Sequence, residues 1–118
     1  MEKVIVMLRK APYGSVYSAE AFRTIMGIAV FEMDICVALI DDGVYVLVKD
    51  QNPEKLDMKP LGDGFLMLKD FNVNRFVVHG ESLFERGLQA DDLVLDAEIV
   101  DNETFTKIIS DYGRVLPF

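Results

Sequence analysis

The chain has 118 residues, a formal net charge of −8 and a hydrophobic fraction of 51%. This composition predicts one folded domain over residues 1–118 and argues against disorder. The acidic balance argues against direct nucleic-acid binding, which needs clustered Lys and Arg, and no apolar run approaches the ~20 residues of a membrane-spanning helix. A single cysteine cannot form an internal disulfide, which fits a cytoplasmic protein.

The first half of the chain alternates apolar runs with a helical pattern. The β-branched run after Lys3 predicts a strand over 3–8. A turn through Pro12 follows, and then a helix over about 19–31 with Ser18 as its N-cap. A second apolar run predicts a strand over 34–40, followed by the turn Asp41-Asp42-Gly43 and a short helix.

The second half continues the alternation. The sequence predicts a helical piece from Pro60 to Phe71, a strand over 75–79, and a helix through "ESLFERG" capped by Ser82 together with Gly80 or Glu81. A weak strand over 96–100, a helix capped by Asn102 and a final strand over 114–117 complete the chain. Because the strands lack polar alternation, they predict an α/β sandwich whose parallel sheet is covered on both faces.

The loops that follow parallel strands meet at one edge of the sheet, where ligand sites form. The three loops are "KAPYGSVYS", "DDG" and "HGES". We therefore expect a candidate site or interface at this edge, formed by Pro12, Tyr13, Gly14, Ser15, Asp42, Gly43, His79, Gly80, Glu81 and Ser82.

These residues do not match the known catalytic patterns. Ser82 lacks the second glycine of a nucleophile elbow, and His79 precedes it by three residues instead of following from a distant segment. The paired aspartates at 41–42 and 91–92 resemble solvated loop carboxylates more than metal ligands, and no phosphate-binding motif is present. We expect neither metal nor cofactor. Cys36 lies inside an apolar strand, so the sequence favours a buried thiol over a catalytic one.

The ordered set "APYGS", "DGVY", "SLFERGL" and "RVLPF" resembles the DsrE/DsrF-like sulfur-relay family, and most of all its TusC/DsrF subunit. The resemblance spans essentially the whole chain. It implies a three-layer α/β/α sandwich with a five-stranded parallel sheet in the order 4-3-2-1-5. It also implies a heterohexamer with DsrE/TusD-like and DsrH/TusB-like partners, with a homo-oligomer as the form expected when the chain is expressed alone.

The resemblance further implies a role in passing persulfide sulfur, either for 2-thiouridine synthesis in tRNA or for sulfur oxidation. In that family the transfer cysteine lies on a sister subunit, at the end of the strand matching "RFVV", where this chain has Val78 and His79. This implies an accessory subunit without independent activity. The alternative is a stand-alone module that binds a small molecule or nucleotide at the same edge. His79 either lines that edge and stabilises a neighbouring thiolate, or is a surface-loop residue without a role.

Overall fold

The computed structural model describes residues 3–10, 17–31, 33–48, 64–65, 67–68, 73 and 75–118. Within these residues the strands are β1 (Lys3–Leu8), β2 (Asp34–Leu39), β3 (Arg75–His79), β4 (Glu98–Val100) and β5 (Arg114–Pro117). The α-helices are α1 (Tyr17–Ala29), α2 (Gly80–Glu85) and α3 (Asn102–Asp111). Among the same residues, 3₁₀ helices span Asp41–Leu47 and Ala90–Asp92.

The five strands form a single parallel sheet in the order β4-β3-β2-β1-β5. The first two strands pair in parallel with Lys3 opposite Asp34 and Leu8 opposite Leu39, so every residue of β1 has a partner in β2. The predicted parallel α/β architecture and strand order are therefore confirmed. Since all strands point the same way, the carboxyl ends of β1, β2 and β3 lie at one edge of the sheet.

Alternation of side chains along the strands divides the core between the two faces of the sheet. The first face packs against α1, α2 and the longer 3₁₀ helix, and its buried residues include Val6, Ile25, Val37, Val44, Val78 and Leu83. The second face packs against α3, and its buried residues are Ile5, Cys36, Ala38, Val77, Phe105 and Tyr112. Helices on both faces make the three-layer α/β/α sandwich, as predicted.

Most predicted boundaries agree with the structure. The strands expected over 3–8, 75–79 and 114–117 have those limits, whereas the strand expected over 34–40 ends at Leu39 and the one over 96–100 begins at Glu98. The helix expected from about residue 19 already includes Ser18, so that residue is not its N-cap. The predicted short helix after the "DDG" turn is a 3₁₀ helix that includes the turn. Most of the piece expected from Pro60 to Phe71 lies outside the described residues.

Candidate functional site

β3 passes into α2 without an intervening loop, and His79 is the residue at the junction. Its backbone is extended (φ −70°, ψ 110°), and its ring Nδ1 accepts a hydrogen bond from the backbone N–H of Ser82 at 3.2 Å. The ring thereby satisfies one of the amides that the first turn of a helix leaves without a partner. His79 is therefore the N-cap of α2, and the prediction that Ser82 shares this role with Gly80 or Glu81 is wrong.

Ser82 joins α2 to the turn that follows β2. Its Oγ lies 2.7 Å from His79 Nδ1 and accepts a hydrogen bond from the backbone N–H of Asp41 at 2.9 Å. Asp41 has a φ of 53°, in the left-handed region that non-glycine residues rarely adopt. The hydroxyl accepts from Asp41 and can donate to the ring, so both its hydrogen-bonding functions are used.

The opposite side of the His79 ring contacts α3. Nε2 lies 3.0 Å from Asn102 Oδ1, and the ring meets Phe105 edge to face with 5.2 Å between centroids. Because Nδ1 accepts from Ser82 and Asn102 Oδ1 can only accept, this pattern fits the neutral tautomer with its proton on Nε2.

The amide of Asn102 is available for this contact because a neighbouring residue caps α3. Asp101 Oδ1 accepts the backbone N–H of Thr104 at 2.8 Å, so the predicted cap at Asn102 is wrong by one residue. Asn102 instead stands in the first turn, with its side chain towards His79. Sequence reasoning missed this partner, although Asn102 follows β4 at the same edge of the sheet, which is a usable signal.

Ser82, His79 and Asn102 together have the hydrogen-bond order of a nucleophile, a base and an orienting group. Burial decides against that chemistry: Ser82 is 3% exposed and His79 is 6% exposed. A substrate carbonyl cannot approach a hydroxyl that is shielded in this way and already bonded to Asp41. The three side chains therefore tie β3, α2 and α3 together. The reading of His79 as a surface-loop residue is wrong, and both of its ring nitrogens face partners inside the chain.

The predicted turn after β2 is bonded to Ser82 and to Arg86, which follows α2. Arg86 donates from Nε to Asp42 Oδ1 at 3.1 Å and from a terminal nitrogen to the Ser82 carbonyl at 3.0 Å. Gly43 lies against β1, where an added Cβ would overlap the carbonyl of Leu8. Glycine is therefore required at this position for steric reasons, and Asp42 forms an ion pair with Arg86.

The structure brings most of the described candidate residues together at the carboxyl edge. Asp42 bonds to Arg86, which also bonds to the carbonyl of Ser82, and Gly43 packs against the end of β1, while Gly80 and Glu81 line a separate cleft. The other four candidates, Pro12, Tyr13, Gly14 and Ser15, lie outside the described residues. Among the residues that the structure describes, no three His, Cys, Asp or Glu side chains are grouped to hold a metal.

The thiol of Cys36 lies away from this edge, on the face covered by α3. Cys36 is 0% exposed and pairs with Arg75, at the start of β3, which places it roughly 13 Å along the strands from His79. Burial raises the pKa of the thiol to about 11, against the opposing effects of the Arg75 charge and a hydrogen bond with Tyr112. The sequence placed no cation near Cys36, and only the strand register brings Arg75 there. Desolvation nevertheless dominates, so the thiol stays protonated at neutral pH.

A cleft of about 250 Å³ opens beside α2, between that helix and the edge strand β4. We call it the edge cleft, and it is lined by Gly80, Glu81, Phe84, Ile99, Val100 and Asp101. Phe84, on one side of the cleft, is 61% exposed. Sequence reasoning identified Gly80 and Glu81 as edge residues but missed the other four.

None of the helices in the described part of the chain combines the length and apolarity needed to cross a membrane.

Comparison with known proteins places these features in a family. The model of the DsrE/DsrF-like family matches residues 2–118. The chain is 38% identical to the intracellular sulfur oxidation protein DsrF of Allochromatium vinosum, over 98% of this chain and 88% of that protein. It is 30% identical to the TusC homolog of Vibrio parahaemolyticus, with both chains covered completely.

The fold is shared with solved structures at lower sequence identity. The ychN protein from E. coli superposes with a TM-score of 0.86 at 22% identity, and each chain is covered completely. A protein from Methanobacterium thermoautotrophicum, MTH1491, superposes with a TM-score of 0.74 at 16% identity, covering 99% of this chain and 100% of that one. These similarities concern the fold alone. With the family match over nearly its full length, the chain belongs to the DsrE/DsrF-like family.

Proposed function

We propose that the chain is an accessory, non-catalytic subunit of a sulfur-relay complex, working beside DsrE/TusD-like and DsrH/TusB-like subunits, with the transfer cysteine on a sister subunit. Its full-length similarity to proteins named DsrF and TusC supports this assignment. The sulfur is destined either for tRNA 2-thiouridine or for sulfur oxidation, and the partners decide which. A heterohexamer is the expected assembly, with a homo-oligomer when the chain is alone.

The observation that carries the non-catalytic role is the state of Cys36, the chain's single cysteine. Sulfur transfer begins when a thiolate attacks the outer sulfur of a donor persulfide, so that the donor's S–S bond breaks and its thiolate leaves. The attacking thiol must be accessible and partly ionised. Cys36 is fully buried, and burial raises its pKa to about 11, so it meets neither condition.

The stand-alone ligand-binding alternative has less support. The polar side chains His79, Ser82 and Asn102 at the described part of the edge are bonded to one another. The edge cleft, at about 250 Å³, is smaller than the ~300–1,000 Å³ typical of small-molecule sites.

Mass spectrometry after incubation with a persulfide donor tests the proposal. The native chain should gain no adduct of about 32 Da, the mass of one sulfur atom, at Cys36. The same chain unfolded in guanidinium should gain it, which shows that the thiol is competent once it is exposed. When cysteine-bearing partner subunits are added, the adduct should appear on the partner.

A matched variant completes the experiment. Cys36→Ser should leave complex formation and sulfur transfer largely intact, with a modest stability loss because a hydroxyl is buried among apolar neighbours. If native Cys36 carries the added sulfur, and the serine variant loses both the adduct and the activity, the chain is a sulfur carrier and the proposal is wrong.

A further inference from the structure

At the floor of the edge cleft, the lack of a side chain at Gly80 lets the start of α2 approach β4 closely. A Cβ at Gly80 would stand 2.9 Å from the carbonyl oxygen of Val100, 3.4 Å from Ile99 and 3.6 Å from the ring of Phe84. The cleft also borders β4, a strand of three residues at the outer edge of the sheet. Glycine thus allows this close approach, and the cleft beside it is lined by backbone and by the apolar side chains of Ile99, Val100 and Phe84.

The wall of the cleft is an exposed aromatic ring beside two carboxylates. Phe84 is 61% exposed, whereas most phenylalanine side chains are largely buried. Glu81 and Asp101 both line the cleft and are exposed. Hydrogen bonds from the hydroxyl and the backbone N–H of Thr104 hold the pKa of Asp101 below its ordinary value, so this carboxylate is charged at neutral pH.

This combination selects for a cation with an apolar neighbourhood. The face of an aromatic ring attracts a guanidinium or ammonium group, and carboxylates form charge-assisted hydrogen bonds with the same groups. Arginine suits both contacts, because its planar group stacks on a ring while it bonds to carboxylates. The volume of about 250 Å³ suits one or two side chains better than a free metabolite.

A second copy of the chain is a poor occupant. Both charged residues that line the cleft are acidic, so a symmetric contact would set Glu81 and Asp101 against the same residues of the other copy. The whole chain is also acidic, with 20 Asp and Glu against 12 Lys and Arg. Charge complementarity therefore favours a different protein as the partner.

We propose that the edge cleft receives an arginine, flanked by apolar residues, from a partner subunit. The partner's arginine stacks on Phe84 between Glu81 and Asp101, and its apolar neighbours cover Ile99 and Val100. This inference rests on the proposed function in one respect, since it says where a subunit of the relay complex docks. The cleft itself is defined without reference to sulfur chemistry.

A titration of the full-length chain with synthetic peptides tests the cleft directly. The probe is acetyl-Gly-Leu-Arg-Leu-Gly-amide, and the readout is the NMR shift of the amides of Gly80 and Val100. The arginine peptide should shift both amides in a saturable manner, while a peptide with glutamate in place of arginine should not. Phe84→Ser and Glu81→Lys should each weaken binding by about tenfold, as expected for central contacts of an interface.

Two control variants make the same chemical changes elsewhere. Phe31→Ser alters a residue that is 70% exposed and follows α1. It lies just before the start of β2, at the end of the sheet away from the carboxyl ends of the strands. Asp111→Lys makes a matching charge reversal at the end of α3. Both controls should bind the arginine peptide within about twofold of the wild type. Equal loss in the controls and the cleft variants, or no binding by the wild type, would overturn the proposal.

Size-exclusion chromatography with the cysteine-bearing subunits separates this inference from the proposed function. Phe84→Ser should fail to enter the complex while Phe31→Ser enters it. If Phe84→Ser assembles as well as the wild type, the cleft assignment is wrong and the accessory role stands. If the wild type forms no complex but binds the arginine peptide through Phe84, the accessory role fails and the cleft stands. Self-association of the chain that depends on Phe84 identifies a second copy as the occupant and overturns the inference.

Discussion

Replacing His79 by alanine removes the ring that joins three elements, and we expect it to destabilise the fold substantially. The N-cap acceptor for Ser82 is lost, which costs about 1 kcal/mol. The hydroxyl of Ser82 loses its ring acceptor in a buried setting, which costs roughly another 1–2 kcal/mol. The edge-to-face contact with Phe105 adds about 1 kcal/mol. The combined loss is about 3–4 kcal/mol, a large share of the ~5–15 kcal/mol typical of a folded domain.

Urea unfolding followed by circular dichroism measures this loss, with an unchanged m value as the sign that only stability has changed. His79→Asn is the matched control, because its carbonyl oxygen can replace the cap acceptor although the ring is lost, so it should recover about 1 kcal/mol. Asn102→Ala removes only the Nε2 contact and should cost about 1 kcal/mol or less, since Asn102 is exposed.

The double variant of His79 and Asn102 to alanine tests whether the two side chains act together. We expect the free energy of unfolding of the double variant to lie within about 0.5 kcal/mol of that of His79→Ala, because the contact between the two side chains is already lost in the single variant. A His79→Ala variant within about 0.5 kcal/mol of the wild type would show that the network contributes little, and the reasoning would fail. The effect of His79→Ala on complex assembly is measured under conditions in which the variant is folded.

Two further predictions concern backbone space and proton binding. Gly43→Ala should destabilise the fold by more than about 3 kcal/mol, because its Cβ would overlap the Leu8 carbonyl, whereas Gly27→Ala, in open space on α1, should stabilise it by about 0.5–1 kcal/mol. Thermal melts that shift both variants the same way would contradict this. Because burial raises the pKa of Cys36 from 9.0 to about 11, the folded chain holds this proton more tightly. Stability should therefore be retained below pH 9.0 and fall towards pH 11, by at most about 1.4 kcal/mol per unit. Urea unfolding across this range should show a shallower fall for Cys36→Ala, and equal slopes would refute the assignment.

The sequence by itself determined the elements and their parallel arrangement. Runs such as Val4–Leu8 are apolar at every position, and a strand of this kind is stable only where helices cover both faces of its sheet. The strand order was a different matter, because it followed from the family resemblance and not from the apolar pattern. The candidate edge was also reached from the sequence, since loops after parallel strands converge wherever the sheet forms.

Cap assignments depended on one-residue details that the sequence leaves open. Asp101 and Asn102 are both good N-cap residues, and the choice between them follows from where α3 begins after β4. The same holds at α2, where helix formation starts directly at Gly80 and leaves the capping position to a histidine. Capping preference ranks the residue types, but packing of the strand end selects the position.

Only the tertiary structure decided the roles of His79 and Cys36. Along β3 the side chains alternate, so His79 shares a face with Val77, and α3 then brings Phe105 and Asn102 over it. Cys36 was correctly predicted to be buried, yet its cationic neighbour Arg75 comes from a strand 39 positions further along the chain. Contacts of this kind depend on register and helix placement, which the whole packed core determines. No local stretch of sequence specifies them.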